Sequence, residues 1–125
     1  MNILLIIFFG GGAGSVTRYL LINYFNKIIP SSIPYGTMLV NLTGALIIGI
    51  IYYFIATKLL LNEQLKIFFT VGFLGGFTTF STFNLDFFKL MESGNLGLAI
   101  TYAAISFIGT ITLFYIGFSL SKLIA

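Results

Sequence analysis

Residues Gly72–Phe83 read GFLGGFTTFSTF and sit inside a hydrophobic stretch long enough to cross a membrane. The middle of this stretch is poorly suited to continuous helix. Gly75 and Gly76 each carry a helix penalty of roughly 1 kcal/mol relative to Ala, and Thr78 and Thr79 are β-branched, with hydroxyls that compete for backbone hydrogen bonds. A helix broken near Gly75–Thr78 is therefore expected. Bare amides and carbonyls in hydrocarbon cost several kcal/mol each, so non-helical chain at that depth survives only when it is buried in protein or faces a polar cavity or ion.

The rest of the chain supports the membrane setting. Of 125 residues, 58% are hydrophobic and 7% charged, and the mean hydropathy is +1.09; a soluble domain carries about 25% charge. At roughly 20 apolar residues per crossing, the chain accommodates a series of helical hairpins with short connections. Helices are expected over about Ile3–Phe25, Pro34–Thr57, Leu65–Met91 and Leu96–Ser121, as a single membrane domain. Pro30 and Pro34 bracket a Ser-Ser turn, and Ser93-Gly94-Asn95 makes the last turn. The apolar run Ile3–Phe9 lacks a preceding basic residue and resumes after the glycines, so it reads as an uncleaved first helix.

Cysteine and histidine are both absent. Disulfides, thiol or imidazole metal ligation, and acid-base schemes using either residue are thereby excluded, and no enzymatic activity is expected. The net charge of +3 comes mainly from lysines near segment ends, the positions of interfacial anchors. Lys58, Lys66 and Lys122 fall on the side of the termini, with Lys27, Lys89 and Arg18 towards the other. So even a distribution does not fix orientation: either other signals decide it, or the chain inserts both ways and assembles as an antiparallel dimer.

Polar residues within the segments have competing readings. Gly10, Gly11, Gly12, Gly14 and Ser15 form a small-residue face for close packing. Arg18 follows on that face, near enough to the segment end either to anchor the helix or to attract anions in an aqueous vestibule. Thr37, Asn41 and Gly44 share one face of the second helix. Asn41 there serves as an interhelical hydrogen-bonding group or as pathway lining. Tyr102, Ser106, Gly109 and Thr110 form a stripe on the fourth helix that reads as packing.

In the third segment Thr79, Phe80, Ser81, Thr82 and Phe83 alternate hydroxyls with rings. Phenylalanine occupies 15 of 125 positions, and two at helical spacing ordinarily mean packing. Their place after a break gives them another use, because the positive edge of a benzene ring beside hydroxyl and amide donors offers an anion a weakly attractive, nearly dry path. Carboxylates would repel the anion, and Glu63, Asp86 and Glu92 lie in a loop or towards a segment end.

GGGAGSVTRY (Gly10–Tyr19), PYGTMLVNLTGALIIG (Pro34–Gly49) and GFLGGFTTFSTF together resemble the signature blocks of the Fluc/CrcB fluoride channels, in order and across essentially the whole chain. The resemblance implies an all-α membrane protein working as a dual-topology antiparallel homodimer in the cell membrane. Two fluoride pores would be built from both subunits, with a structural sodium ion at the centre. Asn41, Phe80, Ser81, Thr82, Phe83, Tyr102 and Thr110 would line the fluoride path, Arg18 would stand at the vestibule, and the carbonyls of Gly75 and Thr78 would bind sodium. The family's fourth-helix track commonly has serine at the position of Thr110, and a further hydroxyl position is Phe114 here. Asp86 stands where relatives often carry an acid.

The expected activity is passive fluoride export, lowering toxicity. No nucleotide motif or membrane-embedded carboxylate is available to couple transport to ATP or protons. A dual-topology multidrug exporter would need an acid in the first helix, which has none. A non-transporting scaffold would explain the glycine faces and Asn41, but not hydroxyls and rings clustered after a break.

Overall fold

The computed structural model describes residues 2–57 and 62–125. Lys58, counted above among the lysines on the side of the termini, lies outside the described residues. The described chain is helical throughout, with helices α1 (Ile3–Ile28), α2 (Tyr35–Ala56), α3 (Glu63–Ile67), α4 (Leu74–Phe77), α5 (Ser81–Glu92) and α6 (Leu96–Ile124), and a π-helical segment, Phe68–Phe73, between α3 and α4. Among the described residues four helical spans, with Glu63–Glu92 as the interrupted third, are long and apolar enough to cross a membrane.

Local chemistry sets most of the ends. The Leu4 N–H donates to Asn2 Oδ1 at 2.8 Å, and the Leu65 N–H to Asn62 Oδ1 at 3.1 Å, so each asparagine satisfies one of the free donors at a helix start. The α1 helix continues to Ile28, beyond the expected Phe25. It stops there because the residue before Pro30 is driven out of helical conformation. The turn from α5 into α6 uses Gly94 at φ 85°, a left-handed position that glycine occupies without strain. At the other boundary of the third span, Glu63 and Lys66 form an exposed ion pair one turn apart.

The break is narrower and later than the glycines alone imply. Gly75 and Gly76 remain helical within α4, and the chain leaves the helix at Thr78, which is extended at φ −83° and ψ 154°, before turning at Phe80 into α5. The π-helical segment just upstream has no counterpart in the sequence reading.

Two contacts dominate the packing, with α1 against α2 and α5 against α6 adding to them. The α2 and α6 helices lie along each other, while α1 packs on the π-helical segment and α4. Both need glycine for close approach: a Cβ on Gly14 would collide with the Phe73 carbonyl, and one on Gly49 with the Phe114 carbonyl. One buried cluster joins Met38, Phe83, Leu90, Ala99 and Tyr102; the other joins Val40, Leu74 and Phe77. The outer faces carry Phe8, Phe107, Ile108 and Tyr115, all exposed, as expected of a chain whose solvent is hydrocarbon.

Candidate functional site

The break is held by one side chain. Asn41 Nδ2 donates to the Thr79 carbonyl at 2.9 Å, and the Thr79 N–H donates to Asn41 Oδ1 at 2.8 Å. The amide thus replaces both partners that a continuous helix would give Thr79. A single backbone donor and a single backbone acceptor also fix which way the amide points. Of the two readings left open for Asn41, the interhelical bond is realised, and the same residue also borders the cavity described below.

The chain leaves the helix at Thr78, and two of the donors beyond it have other acceptors. In a continuous α-helix the Thr79 N–H would bond the Gly75 carbonyl and the Thr82 N–H the Thr78 carbonyl. Instead the first goes to Asn41, and the second to Thr79 Oγ1 at 3.1 Å. Gly76, between them, receives a long hydrogen bond from Ser15 Oγ at 3.4 Å. The helix-continuing partners of Gly75 and Thr78 are therefore both engaged elsewhere.

A cavity of about 650 Å³ opens beside the break. Asn41 and Gly44 border it from α2, Gly75 and Thr78 from the break, Phe80 and Phe83 from the rings that follow, and Ser106 and Thr110 from α6. Six of the residues expected to contact an ion thus meet at one wall, Asn41, Gly75, Thr78, Phe80, Phe83 and Thr110, with Thr79 beside them.

Phe80, Phe83 and Tyr102 form a stack, with centroids 5.4 Å apart for the first pair and 5.2 Å for the second, each tilted by 29°. It runs from the surface inwards, Phe80 being 63% exposed, Phe83 8% and Tyr102 1%. Stacked rings cover one another's faces, so their flanks present mainly edges, the positive side of the quadrupole. Tyr102 sits behind Phe83 and donates a long hydrogen bond, 3.5 Å, to Asp86 Oδ2. Asp86 borders a second, smaller cavity with Ser32, Lys89 and Asn95.

Ser81 and Thr82 lie just behind the wall, their hydroxyls 3.2 Å and 3.3 Å from Thr79 Oγ1. The Thr110 hydroxyl donates to the Phe107 carbonyl at 3.1 Å, and that of Thr78 to the Leu74 carbonyl at 2.8 Å. Both are therefore turned back to their own helices. Arg18, half-exposed on α1, does not border the cavity. Phe114 packs against Tyr52 at 5.9 Å and is also outside the wall.

Ser106, like Thr70 and Thr79, borders the cavity without having been expected on the ion path. It is buried, borders the cavity, and its Oγ is the unpartnered buried side-chain polar atom among the described residues. The available signal is its spacing of four from Tyr102 and from Thr110, which by itself fits packing equally well.

Comparison with known proteins identifies the family. A family described as "CrcB-like protein, Camphor Resistance (CrcB)" matches residues 5–118. A protein of Leptospira interrogans named "Fluoride-specific ion channel FluC" is 40% identical over 114 residues, 91% of this chain and 90% of its own length. Proteins of the same name from Pseudomonas putida and Campylobacter jejuni are 42% and 46% identical, covering 90% and 76% of this chain and 91% and 77% of their own lengths. With the family match spanning nearly all of the sequence and these relatives aligned over three-quarters or more of their lengths, the chain belongs to the CrcB family.

Proposed function

We propose that this chain is the subunit of a fluoride-selective channel, a multi-pass protein of the cell membrane that lets fluoride leave the cytoplasm passively. The carrying observation is the membrane-depth break, whose polar backbone and adjoining rings border one cavity. Membership of a family with relatives named as fluoride-specific channels supplies the ion. The activity is conduction, not catalysis.

Fluoride is small and strongly hydrated, so its water must be replaced by close donors without a site so deep that the ion stays. The Asn41 amide has a second N–H beyond the one given to Thr79, and the Ser106 hydroxyl is uncommitted. These are the donors nearest to hand. The edges of Phe80 and Phe83 complete a dry, weakly attractive wall. Ser81, Thr82, Tyr102 and Thr110 act from the flanks, and Arg18 raises the local anion concentration at an approach.

The carbonyls of Gly75 and Thr78 are the proposed sodium ligands, because neutral oxygens released from helix bonding suit a hard monovalent cation. Bound there, sodium supplies the positive charge that compensates these carbonyls and ties two antiparallel subunits at their common axis. The near-balanced lysines and the openness of the cavity in a single protomer support that homodimer.

The test is electrode-monitored fluoride efflux from liposomes containing only this protein, with chloride as control. Fluoride-selective flux is expected; its absence sinks the reading. Phe80→Ile and Phe83→Ile should each reduce flux while assembly survives, and unchanged rates in both would refute the role of the ring edges.

A further inference from the structure

We propose that Asn41 and Thr79 are positioning residues of the cation site, acting by removing competing donors from its two carbonyls. The inference rests on the sodium reading above and goes beyond it by naming what keeps the ligands available. Asn41 Oδ1 holds the Thr79 N–H at 2.8 Å and so withholds it from the Gly75 carbonyl. Thr79 Oγ1 holds the Thr82 N–H at 3.1 Å and so withholds it from the Thr78 carbonyl. Backbone donors buried away from water seek an acceptor, so without these two side-chain oxygens each N–H competes with the cation for the carbonyl four residues before it.

The arrangement joins the two ion sites through one residue. Asn41 borders the anion cavity with its amide and frees a cation ligand with its oxygen. Thr79 also borders that cavity, and in this scheme it orders the break without ligating the cation. Its hydroxyl gathers the Thr82 N–H and lies within 3.2 Å of Ser81 Oγ, so the same atom orders the start of α5.

Thr79→Val keeps the shape and removes the acceptor, whereas Thr79→Ser keeps the acceptor. The readout is thermal stability of purified protein titrated with sodium at constant ionic strength, using an organic cation as replacement. For Thr79→Val, the sodium concentration giving half-maximal stabilisation should rise on the order of tenfold, the scale of one hydrogen bond. Thr79→Ser should titrate like the unaltered protein. An unchanged midpoint in Thr79→Val overturns the positioning role. So does failure of Thr79→Val to fold at any sodium concentration while Thr79→Ser folds normally, because that outcome marks a folding role instead. If the unaltered protein itself gains no stability from sodium, the sodium reading fails, which is a distinct result.

Discussion

At the scale of single residues, the Ser106 hydroxyl is buried against the cavity without a hydrogen-bond partner. A group left in that state costs about 1–3 kcal/mol, so its removal should not weaken the fold. Ser106→Ala is expected to leave thermal stability unchanged or raise it by about 1 kcal/mol, and to lower fluoride flux by about tenfold, the scale of one lost donor. Liposome efflux and a melting curve on the same preparation check both halves. Equal flux would return Ser106 to the packing role that its sequence spacing suggested. Polarity and helical spacing identified it as one of a stripe, but a hydroxyl at a given spacing looks the same whether its hydrogen is used by a neighbouring helix or not. Thr110, one turn on, has its own committed to Phe107.

At the scale of elements, the helical spans were legible because apolar composition and turn residues leave few alternatives in a chain with 7% charge. The position of the break was less so. Local propensity favoured the glycines, yet Gly75 and Gly76 stay helical and the chain opens at Thr78. The reason is tertiary, since the amide that captures Thr79 lies 38 residues away on α2. Glycine serves contact at other positions. Gly49→Val would drive a side chain into the Phe114 carbonyl and should destabilise by at least about 2 kcal/mol. Gly97→Ala, with nothing within 4 Å of the added atom, should be neutral or stabilise α6 by up to about 1 kcal/mol. Thermal unfolding of the pair separates contact from propensity; similar effects of the two substitutions would contradict the packing of α2 on α6.

At the scale of the whole molecule, the cavity borders are open and many outward apolar side chains are uncovered. Lipid and a second subunit divide these surfaces in the proposed antiparallel dimer. If orientation is decided by the small difference in basic residues, replacing Ser31 and Ser32 with Lys should bias every copy the same way. Flux should then collapse when this variant is expressed alone. It should recover on co-expression with a variant carrying Lys at Asn62 and Gln64, on the opposite side. Full flux from the first variant alone would argue against an obligatory antiparallel pair. The absence of cysteine makes the orientation itself measurable, because a single introduced thiol can be labelled from either side without background.

The π-helical segment Phe68–Phe73 has a consequence for how the third span tolerates changes in length. A wider turn holds a surplus residue, so losing one there lets the chain relax to ordinary α-helix. Elsewhere in the span, one deletion rotates everything beyond it by about 100°, the angle of one residue at 3.6 per turn. Deleting Val71, which is exposed, should therefore leave α4, the break and the phenylalanine stack in register. Removing Leu85 from α5 should turn Phe87 and Leu90 out of their packing against α6. Insertions and deletions accepted by this span should accordingly concentrate in the π-helical segment, where the backbone can gain or lose a residue without moving the wall of the cavity.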